Sequence, residues 1–174
     1  TGRRLAIFGM GRIGQATAAR ARAFGMEIHY HNRSRLPADQ EQGAVYHDTP
    51  DDLLEVADVL SLHCPATPET QGFLNAERIE KLPAPSVVIN TSRGDVVDDE
   101  ALIDALKRAR VAAAGLDVFA GEPNLHAGYY DLDNAYLLPH LGSATVETRN
   151  AMGFKCLDNL DALFTGRDAP DRVA

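Results

Sequence analysis

The stretch LAIFGMGRIG, residues 5–14, decides the fold. Leu5, Ala6, Ile7 and Phe8 form an unbroken apolar run that halts at a glycine, the pattern of a short strand buried on both faces. Residues 13–24 then run through alanine and arginine without a breaker until Gly25, which reads as a helix with a glycine stop. The spacing between strand and helix is G-x-G-x-x-G. Gly9 permits the tight turn, Gly11 lets the backbone approach a pyrophosphate, and Gly14 lets the helix lie close on the strand. The helix start adds amide donors and a partial positive charge, so Gly9, Gly11, Arg12, Ile13 and Gly14 are candidate contacts for a dinucleotide. The plain alternative is a glycine turn that serves packing alone.

Working outward, residues 27–30 read as a second strand and Val45-Tyr46 as a third. Thr49-Pro50-Asp51-Asp52 opens a helix, with a capping threonine, proline at the first position and early acids. Residues 58–62 read as strand, 75–82 as a short helix, 87–89 as a buried strand and 99 to about 109 as a helix. Residues 112–116 and 136–138 are strand-like, and 145–164 is the longest helical stretch. Strict alternation of apolar strands with helices predicts an α/β fold, a doubly wound parallel sheet covered by helices. The expected division is a dinucleotide-binding domain over 1–150 and a C-terminal helix and tail over 151–174.

The chain has 174 residues, enough for one domain with a full core and short for two. Its composition, 45% apolar and 24% charged, is ordinary for a globular protein. A formal charge of −8 argues against nucleic-acid binding and against general affinity for anionic membrane. No run approaches the about 18 apolar residues of a spanning helix, so no membrane association is expected. Cys64 and Cys156 offer neither a disulfide framework nor a metal-ligand spacing, and a cytoplasmic setting with no metal is the expectation.

Residues 30–37, YHNRSRLP, follow the second strand, where such folds normally place an acid that grips a ribose hydroxyl. No acid occurs until Asp39. Neutral Asn32 (or His31, one residue earlier) removes the repulsion of a 2′-phosphate, while Arg33, Ser34 and Arg35 offer it donors. Charge-assisted hydrogen bonds contribute ~1.5–3 kcal/mol each, so one or two imply a preference for NADPH of about tenfold to several-hundredfold. NADP(H) is therefore favoured and NAD(H) remains possible. The alternative is that both arginines are solvated loop charges.

Three ionisable groups follow later strands: Arg93 in NTSRG, Glu122 in DVFAGEP and His140 in LPHLGS. Ligands of open parallel sheets bind at the carboxyl ends of strands, so the three can converge on one crevice. A guanidinium can hold a substrate carboxylate bidentately and polarise a keto oxygen. An imidazolium with a carboxylate partner can protonate that oxygen as hydride reaches carbon. Taken singly, each also reads as an ordinary loop residue.

Residues 9–14, 63–70 (HCPATPET), 90–94, 115–123 (GLDVFAGEP) and 139–145 together closely resemble the cofactor domain of the D-isomer-specific 2-hydroxyacid dehydrogenases. The resemblance is nearest to the glyoxylate and hydroxypyruvate reductases, runs over essentially the whole chain, and is most specific in NTSRGDVVDDEALIDAL and GLDVFAGEPN. It implies that Arg93 orients the substrate, that His140 is the acid/base and that Glu122 is its partner. It further implies that Asp117 holds the nicotinamide carboxamide, with Thr91 and Ser92 beside the same ring. His63, Cys64 and Pro65 would line the cofactor crevice with Thr70 nearby, and Gly142 would also contact the cofactor. His29, His47 and His126 match no catalytic motif and are expected at the surface.

The implied activity is reduction of small 2-keto acids to D-2-hydroxy acids, in a protein that is usually a homodimer. In the family the substrate domain comes chiefly from residues preceding the cofactor domain. This chain is accordingly expected to bind NADP(H) but to turn over poorly or not at all alone. The alternatives are an NAD-linked relative acting on another 2-hydroxy acid, and a non-catalytic dinucleotide-sensing module.

Overall fold

The computed structural model describes residues 1–172. Seven strands form one sheet: β1 Arg4–Phe8, β2 Glu27–His31, β3 Val45–Tyr46, β4 Val59–Leu62, β5 Ser86–Asn90, β6 Val111–Leu116 and β7 Ala135–Leu137. Their order is β3-β2-β1-β4-β5-β6-β7, and every pairing is parallel. The helices are α1 Arg12–Ala23, α2 Ala38–Glu41, α3 Pro50–Leu54, α4 Ala76–Lys81, α5 Asp99–Lys107 and α6 Val146–Phe164, with short 3-10 turns at Gly94–Val96 and Ala127–Tyr129.

The two-residue period of β1 supplies a core on each face of the sheet. Leu5 and Ile7 pack with Ala18 and Ala21 of α1 and with Ile28 and Tyr30 of β2. Ala6 and Phe8 join the opposite core, with Leu53, Leu54, Leu60, Leu62 and Leu102. In α1 the buried positions are Gly14, Ala18 and Ala21, one face of small residues that brings helix and strand close. The Thr49 cap forms as expected, and Asn75 and Asp98 add two more. Thr49 Oγ1 accepts from the Asp52 amide at 3.1 Å, Asn75 from that of Arg78 at 3.0 Å and Asp98 from that of Ala101 at 3.1 Å.

Two features differ from expectation. The four-residue helix α2 has no hydrophobic period, yet Glu41 at its end is buried and tied to its surroundings. His29 and His47 are not free surface residues: they are half-buried at the β2–β3 edge, their Nδ1 and Nε2 atoms 2.9 Å apart. His31 stacks on Tyr46 beside them, and its Nδ1 lies 2.9 Å from the His47 carbonyl oxygen. His126 is exposed, and its Nδ1 accepts from the Gly128 amide at 3.0 Å.

The chain divides into two compact units, Thr1–Pro139, which holds the whole sheet, and His140–Ala174. In the second unit α6 buries only Ala162, while Phe154, Leu157, Leu160, Leu163 and Phe164 are exposed. Its tail folds back on it, Asp171 taking hydrogen bonds from Lys155 at 2.6 Å and from Asn159 at 3.0 Å. Among the described residues no helix is long and apolar enough to cross a membrane, and no group of His, Cys, Asp and Glu could hold a metal ion.

Candidate functional site

The sheet order places a switch point between β1 and β4, because the chain leaves β1 towards β2 and leaves β4 towards β5. Open α/β sheets take their ligands at the carboxyl side of such a point. The glycine loop lies there, and its three glycines differ in what they need. Gly9 has φ 103°, and a Cβ on it would stand 2.7 Å from the Cys64 amide nitrogen. A Cβ on Gly14 would stand 2.5 Å from the Gly9 carbonyl oxygen. Both are required by the fold itself. Gly11 is not: it has φ −77°, and a Cβ there would meet nothing within 4 Å. The space beside it is open, on a helix start that no side chain caps, with Arg12 and Ile13 exposed on the first turn. The amides of that first turn have no partners within the helix. This is the cradle a pyrophosphate fits.

At the end of β2, Asn32 Oδ1 accepts from the Met10 amide at 2.6 Å, which ties the glycine loop to the second strand. The bond fixes the amide orientation, since oxygen must face the N–H, and leaves the NH₂ group as a donor on the remaining side. Arg33 and Ser34 are exposed. Arg35 is engaged: its Nε and Nη2 donate to Glu41 Oε1 at 2.8 Å and Oε2 at 3.1 Å. Glu41 Oε1 also accepts from the hydroxyl of fully buried Tyr30 at 2.7 Å, and that hydroxyl accepts from the Leu36 amide at 3.0 Å. Arg35, chiefly through those hydrogen bonds, holds the Glu41 carboxyl below its ordinary value. Glu41 was not legible as a site neighbour from sequence; it stands in a run of solvated-looking polar residues.

Beyond β4, His63 Nε2 lies 2.9 Å from Ser61 Oγ, and burial lowers the imidazole pKa. Burial pushes the Cys64 thiol up to about 11, so it is an inert wall rather than a nucleophile. Pro65 is exposed. Thr70 spends its hydroxyl on the turn itself, donating to the Pro65 carbonyl at 2.6 Å and accepting from the Thr67 amide at 2.8 Å.

The loops after β5 and β6 pack together. Asn90, buried at the end of β5, accepts from the Ser92 amide at 3.0 Å and the Ser92 hydroxyl at 2.8 Å, and donates to the Arg93 carbonyl at 2.9 Å. That clasp turns Arg93 outward, with Thr91 exposed and Ser92 buried. Sequence reading gave Asn90 no role; an asparagine at a strand end before a tight turn is the available signal. A Cβ on Gly94 would lie 1.9 Å from the Phe119 carbonyl carbon, so the Arg93 loop and the Glu122 loop touch backbone to backbone. Asp117 is buried, and its amide donates to the Asn90 carbonyl at 3.0 Å. Glu122 is exposed, with Oε1 accepting from the Phe119 amide at 2.8 Å. Arg93, Asp117 and Glu122 thus share one neighbourhood in the first unit. His140 and Gly142 belong to the second unit; both are exposed, and His140 adopts a left-handed backbone with φ 54°.

Residues 1–142 match the family described as D-isomer specific 2-hydroxyacid dehydrogenase, NAD binding domain. A glycerate dehydrogenase of Hyphomicrobium methylovorum is 48% identical over 166 residues, 94% of this chain and 52% of the relative. A glyoxylate reductase of Thermococcus litoralis is 46% identical over 173 residues, 99% of this chain and 52% of the relative. Among solved structures, an NADPH-dependent glyoxylate/hydroxypyruvate reductase of Sinorhizobium meliloti in complex with NADP and malonate has a TM-score of 0.94 at 42% identity. The match covers 99% of this chain and 53% of that one. The chain spans about half the length of the curated relatives it matches.

Proposed function

The chain belongs to the D-isomer specific 2-hydroxyacid dehydrogenases, as their NAD binding domain, and on that premise we propose that it is the cofactor-holding part of an NADP(H)-dependent reductase of small 2-keto acids. Glyoxylate and hydroxypyruvate are the proposed substrates and D-2-hydroxy acids the products, in keeping with the names of its relatives.

The observation that carries the cofactor reading is the fixed amide of Asn32. An acid in this place would offer the adenosine ribose an acceptor and repel a 2′-phosphate; here the available group is a donor, with Arg33 and Ser34 exposed beside it. The glycine cradle at Gly9, Gly11 and Gly14, with the first-turn amides of Arg12 and Ile13, takes the pyrophosphate. His63, Cys64 and Pro65 wall the crevice, and Thr70 shapes the turn that carries them.

A bound reduced nicotinamide would supply hydride for reduction of the keto carbon. Asp117 would hold the carboxamide of that ring, with Thr91 and Ser92 beside it, and Gly142 is a further proposed cofactor contact. Arg93 binds the substrate carboxylate in bidentate fashion and polarises the keto oxygen. By family resemblance His140 is the proposed acid that protonates that oxygen as negative charge develops, and Glu122 is the proposed carboxylate of the pair. The domain reading is a dinucleotide-binding domain over 1–150 with a C-terminal helix and tail over 151–174. A homodimer is the proposed assembly, with the exposed apolar residues of α6 as surface still to be covered. The free thiols Cys64 and Cys156 suit a reducing, cytoplasmic setting.

A second reading, NAD(H) as the working cofactor, is favoured by the Arg35–Glu41 pair, which withdraws one of the two cations. The test is steady-state reduction of glyoxylate and hydroxypyruvate by the complete protein with each cofactor. A kcat/KM with NADPH about tenfold or more above that with NADH supports the proposal. Turnover with NADH alone supports the second reading, and no reduction of either keto acid removes both substrates.

A further inference from the structure

Two arginines follow β2, and they stand in different electrostatic situations. Arg33 is exposed and forms no ion pair among the described residues; its charge adds, after hydrogen bonds from Thr67 and the backbone, to the lowering of the Glu69 carboxyl on the loop after β4. Arg35 is clasped by Glu41 through two hydrogen bonds. The side chain of Glu41 is 10% exposed and that of Arg35 is 64% exposed, so the carboxylate is the desolvated partner. If Arg35 left, that carboxylate would keep only the Tyr30 hydroxyl, and an unpaired buried charge is costly. A solvent-facing phosphate has less to offer Arg35 than Glu41 already does.

Resting on the dinucleotide reading above, we propose that Glu41 is a specificity-determining residue of the cofactor site: by holding Arg35 it withholds one cation from the 2′-substituent and leaves the phosphate to Arg33, Ser34 and Asn32. Glu41 thereby limits the preference for a 2′-phosphate, and a cofactor without one is not excluded. Arg35 is a positioning residue. Its guanidinium carbon lies 5.7 Å from the centre of the Tyr46 ring, whose hydroxyl reaches the Asn32 carbonyl at 3.4 Å. The clasp therefore braces the loop that presents Asn32, and a released Arg35 would stand on the same loop as Asn32 and Arg33.

The readout is the ratio of NADH to NADPH dissociation constants, measured by calorimetry on the 174-residue chain and on three variants. Glu41→Gln keeps an acceptor for Tyr30 but removes the charge that binds Arg35, and the ratio is expected to rise by about three- to tenfold in favour of NADPH. Arg33→Met is expected to lower it by about tenfold, and Arg35→Met to weaken both nucleotides alike, leaving the ratio within about twofold. A loss of bracing alone would move both affinities and not their ratio. Should Arg35→Met lower the ratio as far as Arg33→Met does, or Glu41→Gln leave it unchanged, the assignment of Glu41 is overturned while dinucleotide binding stands. Failure of the unmodified chain to bind either nucleotide overturns the functional reading and this inference with it.

Discussion

Gly11→Ala separates what the fold needs from what a ligand needs. On the protein side the change is close to neutral. The new Cβ meets nothing within 4 Å, and φ −77° with ψ −162° is open to alanine. Alanine is a poorer N-cap than glycine, at a cost of about 1 kcal/mol or less. Stiffening the unfolded chain returns ~0.4–1 kcal/mol. The net is within about 1 kcal/mol of zero, which at this chain length shifts Tm by no more than about 2–4 °C. On the ligand side the methyl occupies the opening in front of the uncapped start of α1. Holding a pyrophosphate away from one or two amides forfeits hydrogen bonds to a charged group, each ~1.5–3 kcal/mol. A loss near 3 kcal/mol is roughly a hundredfold in Kd. Thermal melting and calorimetric titration with NADPH on the same preparation measure both halves. Undiminished NADPH affinity, with a normal melt, would refute the assignment of the glycine loop as the pyrophosphate cradle.

Gly94→Ala should do the reverse. Its Cβ would sit 1.9 Å from the Phe119 carbonyl carbon, so two loop backbones must part; overpacking of about 3 kcal/mol lowers Tm by about 6–12 °C, and a melt within about 2 °C of the parent would contradict the contact. Acidification should destabilise the β2–β3 edge. Burial, followed by the charge of neighbouring His47, lowers the pKa of His29, and burial lowers that of His47, so the native state takes up protons less readily than the unfolded chain. Arg4 and His31 push the same way, whereas Glu27, Asp58, Asp52 and Asp48 oppose it. The associated stability is full above the reference pKa of about 6.5 and is lost as pH falls through the depressed values. Urea midpoints should therefore drop between about pH 7 and pH 5.5, and less steeply in His47→Gln, with His63 supplying a residual slope; flat midpoints would count against the reading.

Much of the architecture was legible because its causes are local. The apolar run ending at Gly9, the small-residue face of α1 and the cap at Thr49 each act within a few residues. The elements that escaped depend on partners distant in sequence. Helix α2 exists because Glu41 reaches back to Tyr30 and Arg35, and nothing in ADQE itself signals a buried carboxylate. His29 and His47 look like ordinary surface histidines until β3 pairs beside β2 and brings their rings together. The sequence displayed the charges of Arg33 and Arg35 equally; only the fold distinguishes the exposed one from the clasped one. Asn90 was visible within its motif, but its clasp on Ser92 and the Arg93 carbonyl appears only once the strand end is built. The neighbourhood of Arg93, Asp117 and Glu122 in one unit follows from strand order, while the role of Asp117 rests on the family resemblance and those of Arg93, Glu122 and His140 on chemistry together with that resemblance.

The chain is a dinucleotide-binding domain whose β2 loop we propose to be arranged for a 2′-phosphate. Side-by-side calorimetric titration of the unmodified chain with NADPH and NADH tests it most directly. NADPH is expected to bind tighter by about tenfold or more, the contribution of at least one charge-assisted hydrogen bond. Tighter binding of NADH, or binding of neither nucleotide, would contradict it.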